Sequence, residues 1–186
     1  MASQFSGESS HKVDSKGRVA VPAVFRRALE VGNPSRKPGE KPTVHVVYGS
    51  SQTSYVECYS ESSMNGIIER IRKLDLGSLK RRWLDWVYNT RKYDAQLDDT
   101  GRLLLNARVR EKLGIANEVM FVGAGDNFEI WNPEDYDQET LKHEDFMSKL
   151  VERYGENFHP LQLLDNGADG KGSRKGKRRK KKNRDG

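Results

Sequence analysis

The chain has one cysteine, Cys58, in 186 residues. That excludes an intramolecular disulfide and any metal site built from several thiolates. Its four histidines, His11, His45, His143 and His159, keep no ligand spacing, so no metal or cofactor is expected. No apolar run approaches the roughly 18 residues of a bilayer span, and the opening MASQFSGESS has neither the basic region nor the apolar stretch of a signal peptide. Aromatic residues are few and form no repeated stacking platform of the kind that single-strand binders use. These absences predict a soluble cytoplasmic protein with no membrane partner.

Basic charge is concentrated in one stretch. From Lys171 to Arg184 there are ten Lys or Arg and no Asp or Glu, whereas residues 1–170 hold 23 basic and 26 acidic side chains. The net charge of +6 therefore comes from the end of the chain. That end lacks apolar residues and reads as a disordered polybasic tail, either a solubilising extension or an arm that binds phosphates through counterion release. Elsewhere positive charge is local. Lys12, Lys16, Arg18, Arg26 and Arg27 surround the single acid Asp14, and Arg102, Arg108, Arg110 and Lys112 surround Glu111.

Those two clusters coincide with an internal repeat. KVDSKGRVAVPAVFRRAL recurs in the second half of the chain as QLDDTGRLLLNARVREKL, aligning Asp14 with Asp98, Gly17 with Gly101, Arg18 with Arg102, Arg26 with Arg110 and Leu29 with Leu113. Two copies of one structural unit are expected. Each is close to the size at which a lone unit buries too little surface, so burial shared between halves or subunits is predicted. Within a copy, Asp and Gly define a tight turn between two strands, Asp bonding nearby backbone and Gly supplying positive φ. Pro22 ends the first copy's strand and AVFRRAL reads as a short helix with Val24, Phe25, Ala28 and Leu29 on one face. ARVREKL is its counterpart, stopped by Gly114.

Strand material follows each copy: TVHVVYG and SYVECYS after the first, EVMFVGA and NFEIWN after the second, the latter pair joined by the turn signal GAGD. Helical spacing links Met64, Ile67, Ile68, Ile71 and Leu74, then Leu79, Trp83, Trp86 and Val87, and later Phe146, Met147, Leu150, Val151 and Tyr154. Gly32 to Pro42 reads as an exposed insertion. The chain thus divides into a first unit (5–60), a helical connector (61–92), a second unit (93–136), a C-terminal helix (137–156) and the tail (157–186).

DSKGRVAVPAVFR and DDTGRL carry the paired Asp-x-x-Gly-Arg motifs of the MraZ family, which they resemble; its members are two-copy relatives of the AbrB and SpoVT-like swapped-hairpin DNA-binding proteins. FEIW followed by acidic residues also resembles that family's second unit. The resemblance covers Phe5 to Tyr154. It implies an α+β, β-rich fold, with two tandem swapped-hairpin units forming a pseudo-dimeric β-barrel with flanking helices. It also implies a ring-like homo-oligomer that binds double-stranded operator repeats and represses the promoter of the division and cell-wall gene cluster, in the cytoplasm and at the nucleoid. Asn106 departs from the pattern where Pro22 stands in the first copy, and is expected to loosen the start of the second helix.

Duplex DNA is the partner these residues suit. Lys16, Arg18, Arg26, Arg27, Arg102, Arg108 and Arg110 are the candidate contacts, arginine for base edges and lysine for phosphates, on turns set by Asp14, Gly17, Asp98 and Gly101. Each motif arginine has a second possible role, an ion pair with its own motif Asp, and the two roles are compatible. An enzyme is not expected: adjacent Asp98 and Asp99 at a turn have no His or Ser partner, Cys58 lies in a strand with no basic activator, and GAGD is too short for a dinucleotide fingerprint. No small-molecule substrate is expected. The non-enzymatic alternatives are an AbrB-like antitoxin, against which the duplication argues, and a general nucleoid-associated DNA- or RNA-binding protein.

Overall fold

The computed structural model of the chain describes residues 4–165. The basic stretch from Lys171 lies outside them. Residues up to Lys142 form one compact unit and those from His143 a second.

In chain order the elements are β1 (Glu8–Lys12), β2 (Arg18–Ala20), α1 (Ala23–Val31), β3 (Thr43–Val47), β4 (Tyr55–Tyr59), α2 (Glu61–Arg72) and α3 (Leu79–Asp85), which runs into a π-helical turn (Trp86–Thr90). Then come β5 (Lys92–Gln96), β6 (Arg102–Leu104), α4 (Ala107–Leu113), β7 (Glu118–Gly123), β8 (Asn127–Trp131), α5 (Pro133–Tyr154) and α6 (Gln162–Asp165). The class is mixed α+β, with more residues in helices than in strands. A six-stranded antiparallel sheet has the order β1-β7-β8-β4-β3-β5, and β2 pairs with β6 in a separate two-stranded ribbon.

That order is a palindrome of the repeat. β1 and β5 hold matching places in the two copies and occupy the two ends, β7 and β3 come next, and β8 pairs with β4 at the centre. Each end strand pairs with a strand of the other repeat, Ser10 facing Met120 and His45 facing Asp94. The strand-turn-strand expected around Asp14 is therefore not a self-paired hairpin: β1 and β2 share a single bridge, Val13 to Val19, and β2 pairs with β6 of the second copy. The physical reason is burial. Val19 and Leu103, facing each other in the ribbon, are both fully buried, which neither short strand could achieve alone.

One core joins the halves. Phe5, Phe25, Leu29, Leu103, Leu105, Val109, Leu113, Phe121, Phe128 and Ile130 are buried in a single cluster that draws on both copies. Phe25 packs against Phe5 and Phe128 at ring separations of 5.7 and 5.1 Å. Of the α1 face, Phe25, Ala28 and Leu29 are buried, while Val24 is half exposed. A second cluster, Val47, Tyr59, Met64 and Val87, seats α2. Of the second helical stripe only Val87 is buried. Leu79, Trp83 and Trp86 are 79%, 54% and 42% exposed.

The insertion is anchored at its ends. Gly32, Asn33 and Pro42 are buried, and Asn33 donates to the Leu29 carbonyl at 2.7 Å and accepts from the Thr43 amide at 3.3 Å. In the second unit, α5 ends at Tyr154 before Gly155, whose φ is +97°, and Tyr154 stacks on Phe158. Among the described residues no helix is long and apolar enough to cross a membrane.

Candidate functional site

Each turn is built around one aspartate. Asp14 Oδ1 accepts from the amides of Lys16 and Arg18, both at 2.9 Å, and its Oδ2 accepts from Arg18 Nε at 2.8 Å. Asp98 Oδ1 accepts from the amides of Thr100 and Arg102 at 2.9 and 3.0 Å, and its Oδ2 from Arg102 Nε at 2.8 Å. Both turns close with the glycine amide donating to the aspartate carbonyl at 2.9 Å, and both glycines need positive φ, +80° at Gly17 and +76° at Gly101. Hydrogen bonds to the charged form hold both carboxyls below the usual range. For Asp14 the Arg18 amide leads; for Asp98 the extra Thr100 hydroxyl, at 2.7 Å, leads.

The two turns are locked to each other. The Leu105 amide donates to the Gly17 carbonyl at 2.9 Å and the Val21 amide to the Gly101 carbonyl at 3.1 Å. The arginines cross in the same way. Arg26 of the first copy packs on Gly101, so closely that a Cβ there would lie 2.6 Å from its Nη1. Arg110 of the second copy packs on Gly17, where a Cβ would lie 3.1 Å from its Nε and 3.0 Å from the Leu105 carbonyl. Glycine is needed twice over, for φ and for the arginine that crosses it.

Arg18 and Arg102 emerge together. In the ribbon Arg18 faces Leu104 and Ala20 faces Arg102, so alternation sends both arginines to the face opposite the buried Val19 and Leu103. Asp14 Oδ2 lies 2.8 Å from Arg18 Nη2 and 3.8 Å from Arg102 Nη1, one carboxylate between two guanidiniums. Each motif arginine is about one-third exposed. Lys16 sits in the first turn and Arg27 on α1, both exposed. Arg108 is directed elsewhere: its Nη1 donates to the Tyr48 hydroxyl at 3.3 Å. Arg26 Nε is buried without a hydrogen-bond partner among the described residues.

The site thus holds two guanidiniums, Arg18 and Arg102, on one face of the ribbon, each oriented by its own motif carboxylate. Such a surface can donate to an acceptor-bearing polyanion. The reciprocal packing of Arg26 and Arg110 is not legible in either motif, because each arginine completes the turn of the other copy. Arg91 carries no signal in the sequence. Lys112 carries one, its place one helical turn after Arg108 on α4.

The family described as "MraZ protein, putative antitoxin-like" matches residues 90–156. A protein of Ruegeria pomeroyi named "Transcriptional regulator MraZ" is 43% identical over 171 residues, covering 91% of this chain and 99% of its own length. Proteins of the same name from Cereibacter sphaeroides and Ureaplasma urealyticum are 42% and 28% identical, covering 79% and 80% of this chain and 90% and 95% of their own lengths.

Proposed function

The chain belongs to the MraZ family of transcriptional regulators, and on that premise we propose that its crossed turns read duplex DNA in sequence-specific fashion, making it a repressor of the division and cell-wall gene cluster promoter. The observation that carries this reading is the meeting of Arg18 and Arg102 on one face, with Asp14 between them. A guanidinium can donate two bonds to guanine O6 and N7 in the major groove, and a fixed pair separates bases by about 1–3 kcal/mol. The aspartates set the orientation of the arginines, so less side-chain entropy is lost when the donors engage. Lys16, Arg26, Arg27 and Arg110 hold phosphates around them, and the ten basic residues of Lys171 to Arg184 add contacts without sequence preference.

The protein acts as a homo-oligomeric ring, in the cytoplasm and at the nucleoid, and carries no catalysis. Exposed Leu79, Trp83 and Trp86 supply apolar area for contact between copies. A ring that repeats the ribbon engages several operator repeats at once, and effective concentration raises a weak single contact to useful affinity.

Genome-wide capture of the DNA occupied by the protein tests the function. The expected result is enrichment of a promoter upstream of the division and cell-wall cluster, containing short repeated elements. Occupancy spread over DNA without a shared element would contradict sequence-specific reading.

A further inference from the structure

A cavity of about 570 Å³ opens beside residues 48–54, lined by Tyr48, Arg91, Arg108, Lys112 and the hydroxyls of Ser50 and Thr53. Its size falls within the usual range of small-molecule sites. Three cations line it, and among the described residues none forms an ion pair within 4.0 Å, although Glu111 and Asp135 stand at the rim. Lys112 Nζ spends its three donors on the Ser50 carbonyl, the Thr53 carbonyl and the Thr53 hydroxyl, at 2.7, 2.7 and 3.2 Å. It therefore fixes the loop and contributes charge. Burial, and then the charge of Arg91, push its ammonium below the usual lysine range.

The other two cations retain donors. Arg91 Nε donates to the Gly49 carbonyl at 3.1 Å, and its guanidinium lies over the rings of Tyr48 and Trp86 at 4.9 and 5.1 Å, which holds the plane and leaves its four terminal N–H groups for a ligand. Arg108 gives one N–H to the Tyr48 hydroxyl, which keeps its own proton to donate.

The repeat shows that the cavity is an addition to one half only. The Tyr48 amide donates to the Arg91 carbonyl at 3.0 Å; the matching bond in the other half runs from Gly123 to Gly7 at 2.8 Å. Two glycines there stand where Tyr48 and Arg91 stand here. Likewise Arg108 and Lys112 align with Val24 and Ala28. The cation cluster is absent from the first copy, so the function shared by both motifs does not account for it.

We propose that this cavity is a binding site for a phosphate group carried by a small phosphorylated molecule, held by Arg91, Arg108 and the Tyr48 hydroxyl, with Lys112 supplying charge from the floor. A planar guanidinium matches two phosphate oxygens, and the rim acids Glu111 and Asp135 accept from hydroxyls of the rest of the molecule. The same chemistry could be supplied by a backbone phosphate of DNA.

Equilibrium dialysis of the full chain against labelled inorganic phosphate, at constant ionic strength and without DNA, tests the site independently of the DNA reading. One phosphate should bind per chain. Arg91→Gln and Arg108→Gln should each weaken it at least tenfold, with circular dichroism unchanged, while Arg72→Gln, which alters an exposed arginine of α2 outside the cavity, keeps wild-type affinity. Saturating duplex DNA leaves the phosphate bound if the source is a small molecule; one-for-one displacement, with weaker DNA binding by Arg91→Gln, assigns the site to a backbone phosphate. Absence of saturable binding, or equal binding by all variants, overturns the proposal.

Discussion

The two repeats build the same turn and differ in what surrounds it, and the differences separate what the turn requires from what one copy has acquired. The arginine amide reaches its aspartate at 2.9 Å in the first copy and 3.0 Å in the second, and the guanidinium bond is 2.8 Å in both. The helix start differs. Pro22 precedes α1 with no side-chain cap, its ring presetting φ at −51°. Asn106 precedes α4 and accepts the Val109 amide at 3.0 Å. Asn106 therefore caps the helix instead of loosening its start, and polar capping substitutes for backbone restriction. A second difference is at Gly123 and Tyr48, where one copy admits a backbone crossing and the other a ring.

The largest break in this comparison is expected at Gly123. A Cβ there would sit 2.5 Å from the Ser6 amide nitrogen and 2.6 Å from the Phe5 carbonyl carbon, both backbone. Gly123→Ala must displace the chain that seats Phe5, costing about 3 kcal/mol or more, the upper end of overpacking. Thermal unfolding should show it as a loss of several degrees, while Tyr48→Phe at the matching position stays near wild type.

Next come the turn glycines. Both lie at positive φ, so alanine costs roughly 1–2 kcal/mol at either. The surroundings separate them: at Gly17 the nearest atom is the Leu105 carbonyl oxygen, which is backbone, whereas at Gly101 it is the end of the Arg26 side chain. Gly17→Ala should be the more destabilising in denaturant titration, and Gly101→Ala should chiefly displace Arg26.

A smaller contrast lies at the helix starts. Asn106→Ala removes a cap and should cost about 1 kcal/mol, and Pro22→Ala, with no side-chain bond to lose, about half that or less. Equal costs would show that Asn106 caps nothing of consequence.

Acid separates the turns without mutation. Both aspartates are held below their ordinary value near 3.8 when folded, so their contribution is fully present above it and is lost as pH falls through the folded values. Asp98 has the Thr100 hydroxyl, and Asp14 has Lys16 in its place. On acidification the first turn should therefore loosen before the second, visible as earlier loss of the Lys16 amide environment than of the Thr100 amide environment by NMR.

Much of the local structure was legible in residue order. The turn signal around Asp14 and Asp98 located both loops, Gly114 stopped α4 in the left-handed conformation, and the turn signal GAGD placed Val119 to Val122 and Phe128 to Trp131 on paired strands. Strand partners around the motifs were less legible, because β1 pairs with β7 and β2 with β6 from one copy to the other, and local pattern carries no register at that range. The motif was visible, but Arg26 lying on the other copy's Gly101 was not, since that contact exists only after the halves cross. Tyr48 and Arg91 fall outside the repeated stretch, and only the folded backbone brings them together.

The central claim is that the two turns read DNA as a pair. Its most direct test is a mobility-shift titration of wild type, Arg18→Ala, Arg102→Ala and the double variant on captured operator fragments and on random duplex of equal length. Each single variant should lose about 1–3 kcal/mol of specific affinity, roughly 5- to 150-fold, to a similar degree, with the thermal transition preserved and binding to random duplex changed far less. An unchanged affinity and sequence preference in either single variant would contradict the account.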